Sequence, residues 1–163
     1  MHEHRLVALV ILRDRFQRAE RRERERIADL YLAERAGVDN WDLVDASAPY
    51  LLDDRVRRAP RKLLDPLAVS ERVWDRRIAV LATLPLIRGQ EFDQTFRLAE
   101  QLLGDRHDLI HKALGWMLRE IGKRDERSLL AFLDRHAAAM PRTMLRYAIE
   151  RLPAADRKRY MAR

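Results

Sequence analysis

The sequence contains no cysteine, which excludes disulfide bridges and thiolate metal sites. Glycine (5) and proline (6) are scarce among its 163 residues. No Gly-rich loop to cradle a phosphate and no nucleophile elbow occurs. Long hydrophobic runs are also missing. The apolar stretch from Leu6 to Leu12 is far too short to span a bilayer, so no membrane partner is expected. The opening Met1-His2-Glu3-His4-Arg5 is too polar for a secretory leader, and a cytoplasmic location is expected. His107 and His111 have the i, i+4 spacing that metal sites use, but no third ligand is evident. Neither a metal nor a cofactor is therefore expected.

Ala, Leu, Arg and Glu dominate, in a chain that is 47% hydrophobic and 36% charged. That mixture describes a globular, helical protein rather than a disordered one. The 33 basic residues exceed the 26 acidic ones, giving a net charge of +7. Such an excess suits nucleic acid, an anionic surface or an acidic partner, although an arginine-rich proteome produces it too.

No segment alternates apolar and polar residues long enough for a strand, whereas helical spacing recurs nearly everywhere. The pattern predicts helices over about 2–17, 20–35, 41–52, 70–87, 93–103, 106–121, 126–139, 142–152 and 154–162. Leu6, Leu9, Val10 and Phe16 are expected on the buried side of the first. Gly37 ends the second helix and Asp39-Asn40 cap the third. Residues 53–66, with Asp53, Asp54, Pro60 and Pro66, read as the least regular stretch. Pro85 should kink or stop the long helix. Asp105 and Asp125 suit N-caps, and Pro141 and Pro153 mark helix starts. Short paired helices joined by tight turns predict an all-α fold, an α-solenoid of HEAT-like repeats forming a single domain over residues 1–163. An ordinary helical bundle is the alternative.

Each tryptophan lies within a turn or two of charged residues. Trp41 and Asp45 are four apart and share one helix face. A carboxylate there could stabilise an oxocarbenium-like sugar or orient a water. In the structural alternative, Trp41 is a core residue and Asp45 a cap or ion-pair partner. Trp74 and Arg77 are three apart, and the adjacent Arg76 and Arg77 diverge by about 100°. One could face phosphate while the other is held near a carboxylate; a snorkelling arginine fits equally. Lys112, Trp116, Arg119 and Lys123 follow i, i+4, i+7, i+11. That stripe could grip a phosphate backbone with the indole on sugar or base, or it could be a solvated edge.

Taken together, several motifs resemble the AlkD-type DNA alkylation-repair glycosylases, which are built from HEAT-like repeats. The matching stretches are His2-Glu3 with Leu6 to Leu12, Asn40-Trp41-Asp42-Leu43-Val44-Asp45, and Trp74-Asp75-Arg76-Arg77-Ile78-Ala79. Lys112-Ala113-Leu114-Gly115-Trp116-Met117-Leu118-Arg119-Glu120 and the segment from Pro141 to Glu150 complete the set. They occur in the family's order across nearly the whole chain. The resemblance implies hydrolysis of the N-glycosidic bond of a positively charged 3- or 7-alkylpurine in double-stranded DNA. It implies that Asp45 is the catalytic carboxylate, that Trp41 and Trp116 contact the lesion nucleotide's sugar and backbone, and that Arg77 lies at the DNA surface. Arg76, Lys112, Arg119 and Lys123 would then bind DNA. Family members usually carry further N-terminal helices, so this chain is expected to start inside the family pattern. An uncapped first repeat would expose Leu6, Leu9 and Val10 and permit self-association through the N-terminal helices. The competing functional class is a non-catalytic basic helical module that binds DNA or a protein.

Overall fold

The computed structural model describes residues 1–162, all of whose regular structure is helical. The chain divides into two compact units, Met1–Pro85 and Leu86–Arg163. The first unit contains α1 (His2–Arg18), α2 (Arg21–Ala33), a 3-10 turn (Arg35–Gly37), α3 (Trp41–Leu51), α4 (Asp53–Arg58), α5 (Pro60–Ala68) and α6 (Val73–Leu81). A short helix, α7 (Leu84–Arg88), crosses the boundary. The second unit continues with α8 (Asp93–Gln101), α9 (Asp108–Gly122), α10 (Glu126–His136), α11 (Arg142–Ile149) and α12 (Ala154–Met161).

In the first unit α3 is the hub, packing against α1 and α6, while α5 packs on α6. Leu43, Val44, Ala48 and Leu51 of α3 are fully buried, as are Ile78, Ala79 and Leu81 of α6. Their i, i+4 and i, i+3 spacings give each helix one continuous apolar face. α1 is apolar on two opposite faces. Leu9 and Phe16 turn inward, while Val7, Val10 and Ile11 face solvent. The expectation that Val10 is buried is thus corrected: it is 51% exposed, because at 100° per residue it falls about a quarter-turn from Leu9.

Two further expectations change. Residues 53–66 are not irregular; they form α4 and most of α5. Pro60 opens α5, where its missing N–H costs nothing. The expected long helix over 70–87 is two helices broken after Leu81. Pro85 has no N–H for the Leu81 carbonyl and its ring crowds that carbonyl, so the helix ends four residues before the proline. The Thr83 hydroxyl covers the break by donating to the Val80 carbonyl at 2.7 Å.

In the second unit α9 is the hub, packing against α8, α10 and most closely α11. Gly115 permits that close approach. A Cβ there would lie 2.4 Å from the Tyr147 Cβ and 2.6 Å from the Met144 carbonyl oxygen. The second neighbour is backbone and cannot swing aside. Asp125 caps α10 through its side chain, which accepts from the Ser128 N–H at 3.0 Å. Asp105 serves α9 differently from a direct N-cap. His107 is the N-cap, and Asp105 Oδ1 accepts from its N–H at 2.8 Å.

Gly115→Ala provides a direct test of this packing. Helix propensity alone would favour alanine by about 1 kcal/mol, yet the overlap should make the variant less stable by about 1–3 kcal/mol. Urea unfolding measures the sign.

Candidate functional site

α3 begins at Trp41 because Asn40 ends the preceding segment in an extended conformation, with its side-chain oxygen accepting from the Trp41 N–H at 2.7 Å. Trp41 is 54% exposed, so it is not a core residue. One turn further on, Asp45 meets Arg77 of α6. The guanidinium donates through Nε to Oδ1 at 2.9 Å and through Nη2 to Oδ2 at 2.8 Å. This is a two-pronged pair in which planar donors match planar acceptors. The Arg77 side chain is 6% exposed and that of Asp45 19%. The guanidinium therefore lies beneath the carboxylate, which keeps one edge in solvent. The resemblance implied an arginine at a DNA surface; here its donors are turned to Asp45.

Pro49 lies four residues after Asp45 inside α3. It carries no N–H, so the Asp45 carbonyl lacks its helical donor and the ring presses on that carbonyl. Further polar contacts involve the same helices. Asp75, 3% exposed, accepts from Ser70 Oγ at 2.9 Å and from Arg72 Nη1 at 3.0 Å, with Arg35 Nε 3.5 Å away. Tyr31 of α2 and Ser47 of α3 share a hydrogen bond at 3.0 Å. Burial pushes the Tyr31 phenol well above its ordinary value, and the nearby charges of Asp75 and Asp45 push it further. Ser47, Pro49 and Asp75 had no assigned role in the sequence. The Asp-x-x-x-Pro spacing was readable there, as was the packing of Ile27 and Tyr31 in the second helix; the burial of Asp75 was not.

Arg76 diverges from Arg77 as helix geometry requires. Its Nη1 donates to the carbonyls of Ser70 and Glu71, both at 2.8 Å. Trp41, Asp45, Arg76 and Arg77 belong to the first unit, and Lys112, Trp116, Arg119 and Lys123 to the second.

The second set lies on α9 and, for Lys123, at its C-cap, and every cation in it meets a carboxylate. Lys112 Nζ lies 2.9 Å from Asp108 Oδ2, Arg119 pairs with Glu150, and Lys123 Nζ lies 2.5 Å from Glu120 Oε1. The half-buried Trp116 donates its indole N–H to Glu120 at 3.3 Å. Burial raises the Glu120 carboxyl, but Lys123, Arg124 and the indole outweigh it and hold the group below its ordinary value. Asp108 is held low as well, by Lys112 and by a hydrogen bond from Thr143. His111 turns its Nε2 to the Asp105 carbonyl at 2.6 Å. No group of three or more His, Asp or Glu side chains among the described residues could hold a metal. No helix among them is long and apolar enough to cross a membrane.

The chain's residues 1–152 match the model of the family described as DNA alkylation repair enzyme. No curated protein matches the chain.

Two measurements check this electrostatic picture. Asp45→Ala removes the carboxylate from a buried guanidinium and should cost about 3 kcal/mol, whereas adding Arg77→Met should recover more than half of it; urea unfolding of both variants reads the difference. Glu120 has a folded value below 4.5, so its contribution is present above that pH and is lost as pH falls through the folded value. Acid unfolding of Glu120→Gln should accordingly show a shallower loss of stability below about pH 4.5 than the parent.

Proposed function

Because the chain belongs to the DNA alkylation repair enzyme family, we propose that it is a DNA glycosylase acting on positively charged 3- or 7-alkylpurines. The observation that carries the reading is the Asp45 carboxylate, fixed from below by Arg77 and open to solvent one helical turn from the exposed Trp41. Alkylation at a ring nitrogen makes the purine cationic. The bond from C1′ to the base then breaks with its electron pair going to the base, which leaves neutral. Little acid catalysis is needed, so the second carboxylic acid of ordinary glycosidases has no counterpart here. The sugar becomes oxocarbenium-like, and the solvent edge of Asp45 faces that developing charge. The same carboxylate orients a water, whose oxygen bonds to C1′ while its proton passes to the carboxylate and on to solvent.

In this reading Trp41 packs on the lesion nucleotide's sugar, and Trp116 packs on the DNA backbone. Arg77 acts through Asp45: its donors are committed, so it sets the orientation of the carboxylate. Lys112, Arg119, Lys123 and Arg76 meet phosphates. The exposed ion pair of Lys112 is worth little in water, so a phosphate can compete for that cation, whereas Lys123 meets a phosphate while held by Glu120. A HEAT-like repeat solenoid supplies the scaffold in this reading. Packed short helices in both units support it.

The test is release of free base from methylated double-stranded DNA. The parent protein should release it, and Asp45→Asn should lower the rate about 10²-fold or more. Trp41→Ala, at an exposed position away from the ion pair, should also slow release while leaving the unfolding midpoint unchanged. Equal background from parent and Asp45→Asn would instead establish a non-catalytic DNA-binding module.

A further inference from the structure

On α9, a single carboxylate receives three donors. Glu120 Oε1 accepts from the Trp116 indole N–H at 3.3 Å and from Lys123 Nζ at 2.5 Å. Oε2 accepts from Arg124 Nη1 at 3.1 Å, and the same nitrogen donates to the Glu120 backbone carbonyl at 2.9 Å. The Glu120 side chain is only 14% exposed. Trp116 and Glu120 stand one turn apart on α9, and Lys123 and Arg124 follow directly at its C-terminal end.

An indole that is half in solvent has no need of a protein acceptor, because water can satisfy its N–H. Here that edge is spent on a carboxylate that also anchors two cations. The ring is thereby tied at its polar edge. One negative charge against two positive ones leaves the cluster with a net positive charge beside the ring.

We propose that Glu120 is a positioning residue that holds the Trp116 indole and the Lys123 and Arg124 cations as one array for a nucleotide's sugar and phosphate. The proposal deepens the glycosylase reading and rests on the contacts assigned there to Trp116 and Lys123. Removing the carboxylate has two separable consequences. Loss of the acceptor frees the indole, and loss of the charge frees two cations. Glutamine keeps the first function and abolishes the second; alanine abolishes both.

The experiment compares Glu120→Gln and Glu120→Ala in the full chain. Acrylamide quenching of Trp116 fluorescence is read in a background carrying Trp41→Phe and Trp74→Phe. Alanine should raise the quenching constant about two-fold, and glutamine should leave it close to the parent value. Binding to unmodified duplex DNA should become more salt-dependent in both variants, the slope of log K against log salt steepening by about 1–2 as Lys123 and Arg124 are released. Base release, measured with the three tryptophans intact, should fall about 10-fold with alanine and far less with glutamine. Equal quenching in all three proteins overturns the proposal, as does an equal loss of base release in the two variants. Should no protein release base, the glycosylase reading fails on its own, and quenching with the salt slope still decides the role of Glu120.

Discussion

The first unit turns on one interaction, the paired contact between the Arg77 guanidinium and the Asp45 carboxylate. A guanidinium cannot lose its charge inside a protein, and this one is 5% exposed. A carboxylate of matching shape meets it and offsets the cost of its burial. α3 and α6 must therefore pack in the register that brings residues 45 and 77 together. The apolar faces of the same helices, with Leu43, Val44, Ile78 and Leu81 fully buried, drive the two together without specifying that register so sharply. Hydrophobic burial is non-directional; the ion pair supplies direction.

A second constraint supports the first from the same helix. Asp75, two residues before Arg77, is tied to Ser70 and Arg72 in the turn that precedes α6. Arg72 also reaches the Ala36 carbonyl at 3.3 Å, which links the start of α6 to the segment just before α3. The α6 backbone is thus anchored at its beginning, and Arg77 is delivered from a fixed point. In the second unit the constraint is steric instead. The missing Cβ of Gly115 sets how near α11 comes to α9, and the polar side of α9 follows from that seat.

Periodicity revealed most helices because a buried face repeats every 3.6 residues, whatever the tertiary context. It failed where proline was read too strongly or too late. Pro60 and Pro66 suggested irregularity, yet one opens α5 and the other lies on its exposed side. Pro85 was read as ending a helix near itself, whereas its effect falls on the carbonyl of Leu81. The helix-face pairing of Trp41 with Asp45 was legible from spacing, and the structure adds the partner from α6. The stripe of Lys112, Trp116, Arg119 and Lys123 was legible as positions but not as electrostatics. Glu150 is far away in sequence, and Glu120 draws three donors because of how the side chains turn. The packing of Tyr31 was legible from its helix face, but its bond to Ser47 and the burial of Asp75 were not, because they are properties of the assembled helices.

The proline in α3 has a consequence of its own. Pro49 deprives the Asp45 carbonyl of its i+4 helical donor, so residue 45 presents a main-chain oxygen without that donor beside its side-chain charge. Acid can neutralise a carboxylate, but no proton source at ordinary pH neutralises a peptide oxygen. Part of the negative potential at this point on α3 is therefore built into the covalent sequence and persists under conditions that would silence the side chain.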